Sequence, residues 1–128
     1  MTRKIALITG ASRGLGRSTA LRLAAQGVDI IGTYHRQADE AQAVVAQIEQ
    51  WGGRAAMLKL DVSQSATFGA FVEDVGDVLK RVFARDDFDF LINNAGIGIH
   101  ASFAETSEAQ FDQLVAIQFK GPFFLTQK

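Results

Sequence analysis

Two hydrophobic periodicities take turns along this chain, and their alternation limits the folds open to it. Short apolar runs at 4–9, 29–34, 54–60 and 88–93 read as strands, the first and third apolar enough to be buried. Segments with apolar residues at helical spacing lie between them. One, 15–26, sets Leu15, Thr19, Ala20, Leu23 and Ala24 on a common face and stops at Gly27. Another, 38–51, turns Ala41, Val44, Val45 and Ile48 inward and ends at Gly52-Gly53. Ser63 stands at an N-cap position before a helix covering much of 64–84. Ser107 caps a last helix, with Phe111, Leu114 and Val115 on one side. Strand–helix–strand repetition with single helices of similar length implies parallel strands and right-handed crossovers, an α/β doubly wound sheet. Such sheets bind ligands at the carboxyl ends of their strands.

With 128 residues, 48% of them hydrophobic, the chain supplies one domain, 1–128, with a core of its own. A formal net charge of −1 argues against nucleic acid and anionic membranes as partners. The absence of cysteine excludes disulfides and thiolate chemistry. No apolar stretch approaches membrane-spanning length. The opening Met1-Thr2-Arg3-Lys4 leads into a run broken too soon by Gly10 to be a signal peptide, so a cytoplasmic location is the expectation.

The first strand runs into Thr9-Gly10-Ala11-Ser12-Arg13-Gly14-Leu15-Gly16, and a helix begins on the far side. Amides at a helix N-terminus, with the helix dipole behind them, bind phosphate. A side chain at Gly14 or Gly16 would keep a pyrophosphate from the backbone, so the turn reads as a dinucleotide site. The common G-x-G-x-x-G pattern fails, because Thr19 stands three places after Gly16. The spacing Gly10-x-x-x-Gly14-x-Gly16, together with Asn93-Asn94-Ala95-Gly96, resembles the short-chain dehydrogenase/reductase family from residue 4 to 128.

That resemblance implies a Rossmann-type sheet of order 3-2-1-4. It also implies reversible hydride transfer between a nicotinamide cofactor and a small carbonyl or alcohol. The second strand ends Thr33-Tyr34-His35-Arg36, and Tyr34 stands where NAD-preferring members carry Asp. With no carboxylate there, and with Arg13 and Arg36 suited to a ribose 2′-phosphate, NADP(H) is expected over NAD(H). By resemblance, Gly10, Ser12, Arg13, Gly14, Leu15 and Gly16 hold the pyrophosphate and ribose-phosphate end. Asp61 and Val62 border the adenine, and Asn94, Ala95 and Gly96 line the adenosine side. Asp61 also reads as a plain strand-end residue beside the Ser63 cap. His35 fits near a cofactor phosphate and His100 a loop bordering substrate, although each also reads as a surface histidine. Asp86, Asp87 and Asp89 form a solvated face rather than a metal site. Trp51 and the ten phenylalanines read as core or interface.

Two departures from the family stand out. Gln118 occupies the position of the family's relay Asn, and its extra methylene shifts the amide. Tyr34 is the only tyrosine and Ala38 stands four places on, so no Tyr-x-x-x-Lys is present to protonate a carbonyl oxygen. The chain resembles the amino-terminal half of a family member, and alone it is expected to be inactive. The expectation extends to an unpaired fourth strand and to a last helix, with Phe119, Phe123, Phe124 and Leu125, that lacks part of its burial partner and is kinked at Pro122. A marginally stable or self-associating chain follows, whose longer form assembles as a homo-oligomer through that helix. The alternative is a non-catalytic dinucleotide-binding, sensor or assembly module.

Overall fold

The computed structural model describes residues 3–96 and 103–128. Four strands, β1 (Ile5–Ile8), β2 (Asp29–Tyr34), β3 (Ala55–Lys59) and β4 (Phe90–Ile92), form one parallel sheet of order β3-β2-β1-β4. Helix α1 (Gly14–Ala25) joins β1 to β2, and α2 (Ala38–Gln50) joins β2 to β3. A 3-10 turn at Ser65–Thr67 leads into α3 (Phe68–Val78), which widens into a π-turn at Leu79–Phe83. Beyond β4, α4 (Glu108–Val115) passes through a second π-turn, Ala116–Lys120, into α5 (Gly121–Gln127). Ala6, Leu7 and Ile8 of β1 each pair on both sides, Ile8 with Gly32 and with Ile92.

Side chains alternate across a strand, and all four of β1 are buried because helices cover both faces. Ala6 and Ile8 meet Ala20, Ala24, Val44 and Ile48 beneath α1 and α2. On the opposite face, Ile5 and Leu7 join Phe68, Phe71 and Val75 of α3, with Ile117 and Leu125 of the last helical stretch.

Several expectations need correction. The buried stripe of α1 is Gly16, Ala20 and Ala24, while Leu15 is 79% exposed. The first turn overhangs the strand end, so the i, i+4 row through Gly16 faces the sheet. The third strand is half-buried rather than buried, since only β2 flanks it. Ser63 caps no helix: its hydroxyl and amide both donate to Asp61 Oδ1, at 2.7 and 3.0 Å. The carboxylate, two residues back, draws the Ser63 donors into its own turn before the helix begins. Only three of the ten phenylalanines, Phe68, Phe71 and Phe83, are fully buried.

The Asp86–Asp89 region is solvated only in part. Asp89 accepts from the Ile5 amide at 2.8 Å, and Arg85 grips both Asp89 and Asp87 at 2.8 Å. These bonds fasten the segment after α3 to the start of β1. Ser107 does cap α4, in a reciprocal pair with Gln110. Yet α4 buries none of its residues, and Phe111 and Val115 face outward. Pro122 lies at the start of α5 within a continuous helical stretch, and the irregularity expected of it is the π-turn just upstream.

Candidate functional site

Two chain reversals meet at the carboxyl end of the sheet. After β1 the chain turns at Gly10, whose φ of +67° is a left-handed conformation that glycine tolerates. The Gly10 amide donates to Thr33 Oγ1 at 3.1 Å, and the Ala11 amide to the Thr33 carbonyl at 2.9 Å. After β4, the amides of Asn94 and Ala95 both donate to Thr9 Oγ1 at 3.0 Å. Asn94 Nδ2 returns a bond to the Gly10 carbonyl at 3.1 Å. The polar groups of the two turns are thereby paired within the protein.

Helix α1 starts beside this knot without a side-chain cap, leaving first-turn amides to another acceptor. Gly16 lies against the Gly10 carbonyl and the Asn94 amide, where a Cβ would collide with both. Its constraint is therefore internal packing of strand end on helix start. Gly14, in contrast, has open space around it and a φ of +59°. That backbone conformation is by itself a reason for glycine at this position.

The third strand end contributes Asp61. Its Oδ1 is held by Ser63, and its Oδ2 lies 3.4 Å from His35 Nε2. Burial pushes the Asp61 carboxyl upward, but the two Ser63 bonds and the charges of His35 and Arg36 outweigh it and leave the group below its ordinary value. The fourth wall is the second π-turn. Gln118 packs so close to Gly96 that a Cβ there would sit 2.6 Å from Gln118 Oε1. Gly121 passes directly over the Val62 carbonyl, again with no room for a Cβ.

These parts enclose a cavity of about 530 Å³, a size common for small-molecule sites. It is lined by Gly10, Ser12, Arg13, Gly14, Leu15, Tyr34, His35, Asp61, Val62, Asn94, Ala95, Gly96 and Gln118. Gly16 lies beneath the lining, and Arg36 is exposed beside it. Asn93 turns away to donate to Thr126 Oγ1 at 3.0 Å. His100 lies outside the described residues. Sequence reasoning did not single out Thr33, Gln37, Leu60 and Ile117, which also line the cavity, nor Thr9 as the tie between its two turns. Thr9 and Thr33 carry a usable signal, a hydroxyl at or near a strand end, whereas nothing marks Gln37. Among the described residues no group of three or more metal-ligating side chains exists, and no helix is long and apolar enough to cross a membrane.

A family model described as short chain dehydrogenase matches residues 4–128. The chain belongs to the short-chain dehydrogenase family. It is 34% identical over 126 residues to the 3-oxoacyl-[acyl-carrier-protein] reductase FabG of Staphylococcus epidermidis, covering 98% of this chain and 49% of that one. The angucycline C-6 ketoreductase LanV, solved with bound NADP, superposes with a TM-score of 0.93 at 36% identity, over 98% of this chain and 49% of that one. A short chain dehydrogenase of Burkholderia cenocepacia in complex with NADP gives a TM-score of 0.87 at 35% identity, over 98% of this chain and 49% of its own. This short-chain dehydrogenase sequence thus spans about half the length of the relatives it matches.

Proposed function

We propose that the chain is the cofactor-binding half of a short-chain reductase that takes NADP(H) in preference to NAD(H) and acts on a small carbonyl or alcohol. The observation that carries this reading is the cavity where the uncapped start of α1 meets a β2 end bearing Tyr34 and His35 and no carboxylate. The residues present suit the cofactor. A glycine turn with free first-turn amides is a cradle for pyrophosphate, and Gly16 allows that turn to close on Asn94. Arg13 offers a planar, permanently charged donor set for a 2′-phosphate. Arg36 adds charge from outside the lining. Asp61 and Val62 would border the adenine, with Asn94, Ala95 and Gly96 along the adenosine side.

When bound, the nicotinamide supplies the hydride chemistry. This chain's own part is to bind and orient the cofactor. Gln118, beside Gly96, is the polar side chain at the position of the family's relay residue. Without a Tyr-x-x-x-Lys pair, these 128 residues are expected to bind dinucleotide without turnover. The FabG reductase, the ketoreductase LanV with bound NADP and the Burkholderia cenocepacia short chain dehydrogenase in complex with NADP support the reading.

The test is a titration of the purified chain with NADPH and NADH. NADPH binds more tightly, and Arg13→Ala weakens it about tenfold or more while moving NADH little. An NADPH-to-NADH affinity ratio untouched by Arg13→Ala and by Arg36→Ala overturns the 2′-phosphate assignment. The exposed Phe119 and Phe123 of the last helical stretch favour an added role for it in self-assembly.

A further inference from the structure

We propose that Met57 is an oxidation site beneath the glycine turn, where a hydroperoxide converts the thioether to its sulfoxide and so loosens dinucleotide binding. The inference rests on the cofactor reading above and adds a means of regulation to it.

Met57 stands on the edge strand β3, which only β2 flanks, and it is partly exposed. It pairs with Gly32 of β2, which pairs in turn with Ile8 of β1. A glycine inside a strand marks a close approach from elsewhere. Here a Cβ on Gly32 would sit 2.6 Å from Met57 Sδ, 2.9 Å from Met57 Cε and 2.8 Å from Ala11 Cβ. The thioether therefore lies across β2 in the notch that Gly32 leaves, beside Ala11. Ala11 is fully buried, and its amide donates to the Thr33 carbonyl. Gly10 and Ser12, on either side of it, line the cavity. One flexible side chain thus joins the outer edge of the sheet to the backbone that the cofactor reading gives to pyrophosphate.

The chain has no cysteine, and its other methionine is Met1. Oxidation is a two-electron step. A sulfur lone pair attacks one oxygen of hydrogen peroxide, the O–O bond breaks and an S–O bond forms. The proton on the transferred oxygen passes to the leaving hydroxide, which departs as water. Sulfur is oxidised and the peroxide is reduced. The product is larger and carries a strong hydrogen-bond acceptor. The Ala11 methyl group beside it offers no donor, and an acceptor buried without one is unfavourable. The sulfoxide oxygen turns toward solvent at the sheet edge, the side chain leaves the notch, and Ala11 loses its packing partner. Pyrophosphate is common to both dinucleotides, so NADPH and NADH are weakened alike.

The test treats the purified chain with hydrogen peroxide and locates the added oxygen by peptide mass mapping. The dissociation constants of NADPH and NADH are expected to rise about tenfold, both by the same factor. Methionine sulfoxide reductase with a dithiol removes the oxygen as water and restores them. In Met57→Leu, which keeps Met1 and Trp51, peroxide leaves the constants where they stood before treatment. Met57→Gln, with a carbonyl near the sulfoxide's place, binds weakly without peroxide. A second readout needs no ligand. The amide resonances of Gly10, Ala11 and Ser12 move on oxidation, while those of Arg85 and Asp89, at the opposite end of the sheet, stay. No added oxygen on Met57 overturns the proposal, as do unchanged affinities in the oxidised chain or a loss that persists in Met57→Leu. Collapse of all native resonances on oxidation overturns it too, since the sulfur would then serve the core at large. If neither dinucleotide binds before treatment, the cofactor reading fails and takes the binding effect with it. Unmoved turn resonances overturn the hold of Met57 on the turn whatever binds.

Discussion

The Thr9 hydroxyl accepts two amides from a turn 85 residues further along the chain. Thr9→Val keeps the shape and strands the Ala95 amide, while the Asn94 amide keeps the Ile92 carbonyl at 3.1 Å, so the cost is about 1–3 kcal/mol for one donor left unpaired. Urea denaturation is expected to show that loss, and NADPH binding to weaken with it. A midpoint equal to wild type would show that water replaces the hydroxyl. Such a role is hidden in a sequence, because its partners are fixed only by the fold. Gly10 was legible, since a turn after a strand calls for glycine, but Gly16 is required for internal contact that no spacing rule expresses. Asp89 carries a pH signature of its own. The Arg85 hydrogen bonds, followed by the Ile5 amide, lower its carboxyl from an ordinary 3.8 to about 2. A depressed folded-state value means that the carboxylate's stabilisation is present above about pH 4 and is lost as pH falls toward 2. The melting temperature of Asp89→Asn is therefore expected to lie below wild type at pH 6 and to converge on it as the pH is lowered through that window. Parallel curves from pH 6 to 2 would exclude the mechanism.

At the scale of elements, periodicity found the four strands of the described residues, because burial leaves an apolar record, while their order was implied by the family resemblance and is the order observed. It placed the ends less well. The run read as 88–93 is a three-residue strand, Phe90–Ile92, and the helix read as 64–84 changes winding twice. Those ends are set by competition between local hydrogen bonds, as at Asp61 and Ser63, rather than by hydrophobic spacing. The π-turn at Ala116–Lys120 is likewise absent from any pattern, yet it seats Gln118 against Gly96 and Gly121 against Val62. Gly121→Ala puts a methyl group against the Val62 carbonyl, and a backbone group cannot rotate away. A loss of about 1–3 kcal/mol, typical of overpacking, is expected in thermal unfolding. NADPH affinity should drop with it, because Val62 and Gln118 both line the cavity. Unchanged affinity in a destabilised variant would show that the last helix sits apart from the site.

For the molecule as a whole, apolar surface is unevenly covered. Phe90 on the edge strand β4 is 48% exposed, and Phe119 on the last helical stretch is 71% exposed. Open strand edges and contiguous apolar faces invite pairing between copies. The 128-residue chain is expected to sediment as a concentration-dependent mixture, with Phe119→Glu shifting it toward monomer. A monomer at all concentrations, with a sharp melt, would remove both this expectation and the assembly role. The cavity has a different consequence. Its walls run from Gly10 to Gln118 and draw on the end of every strand and on the last helical stretch. A molecule seated there would act as a crosslink between parts of the chain that are otherwise remote, so each tenfold rise in ligand above its dissociation constant should add about 1.4 kcal/mol to the stability of the entire fold.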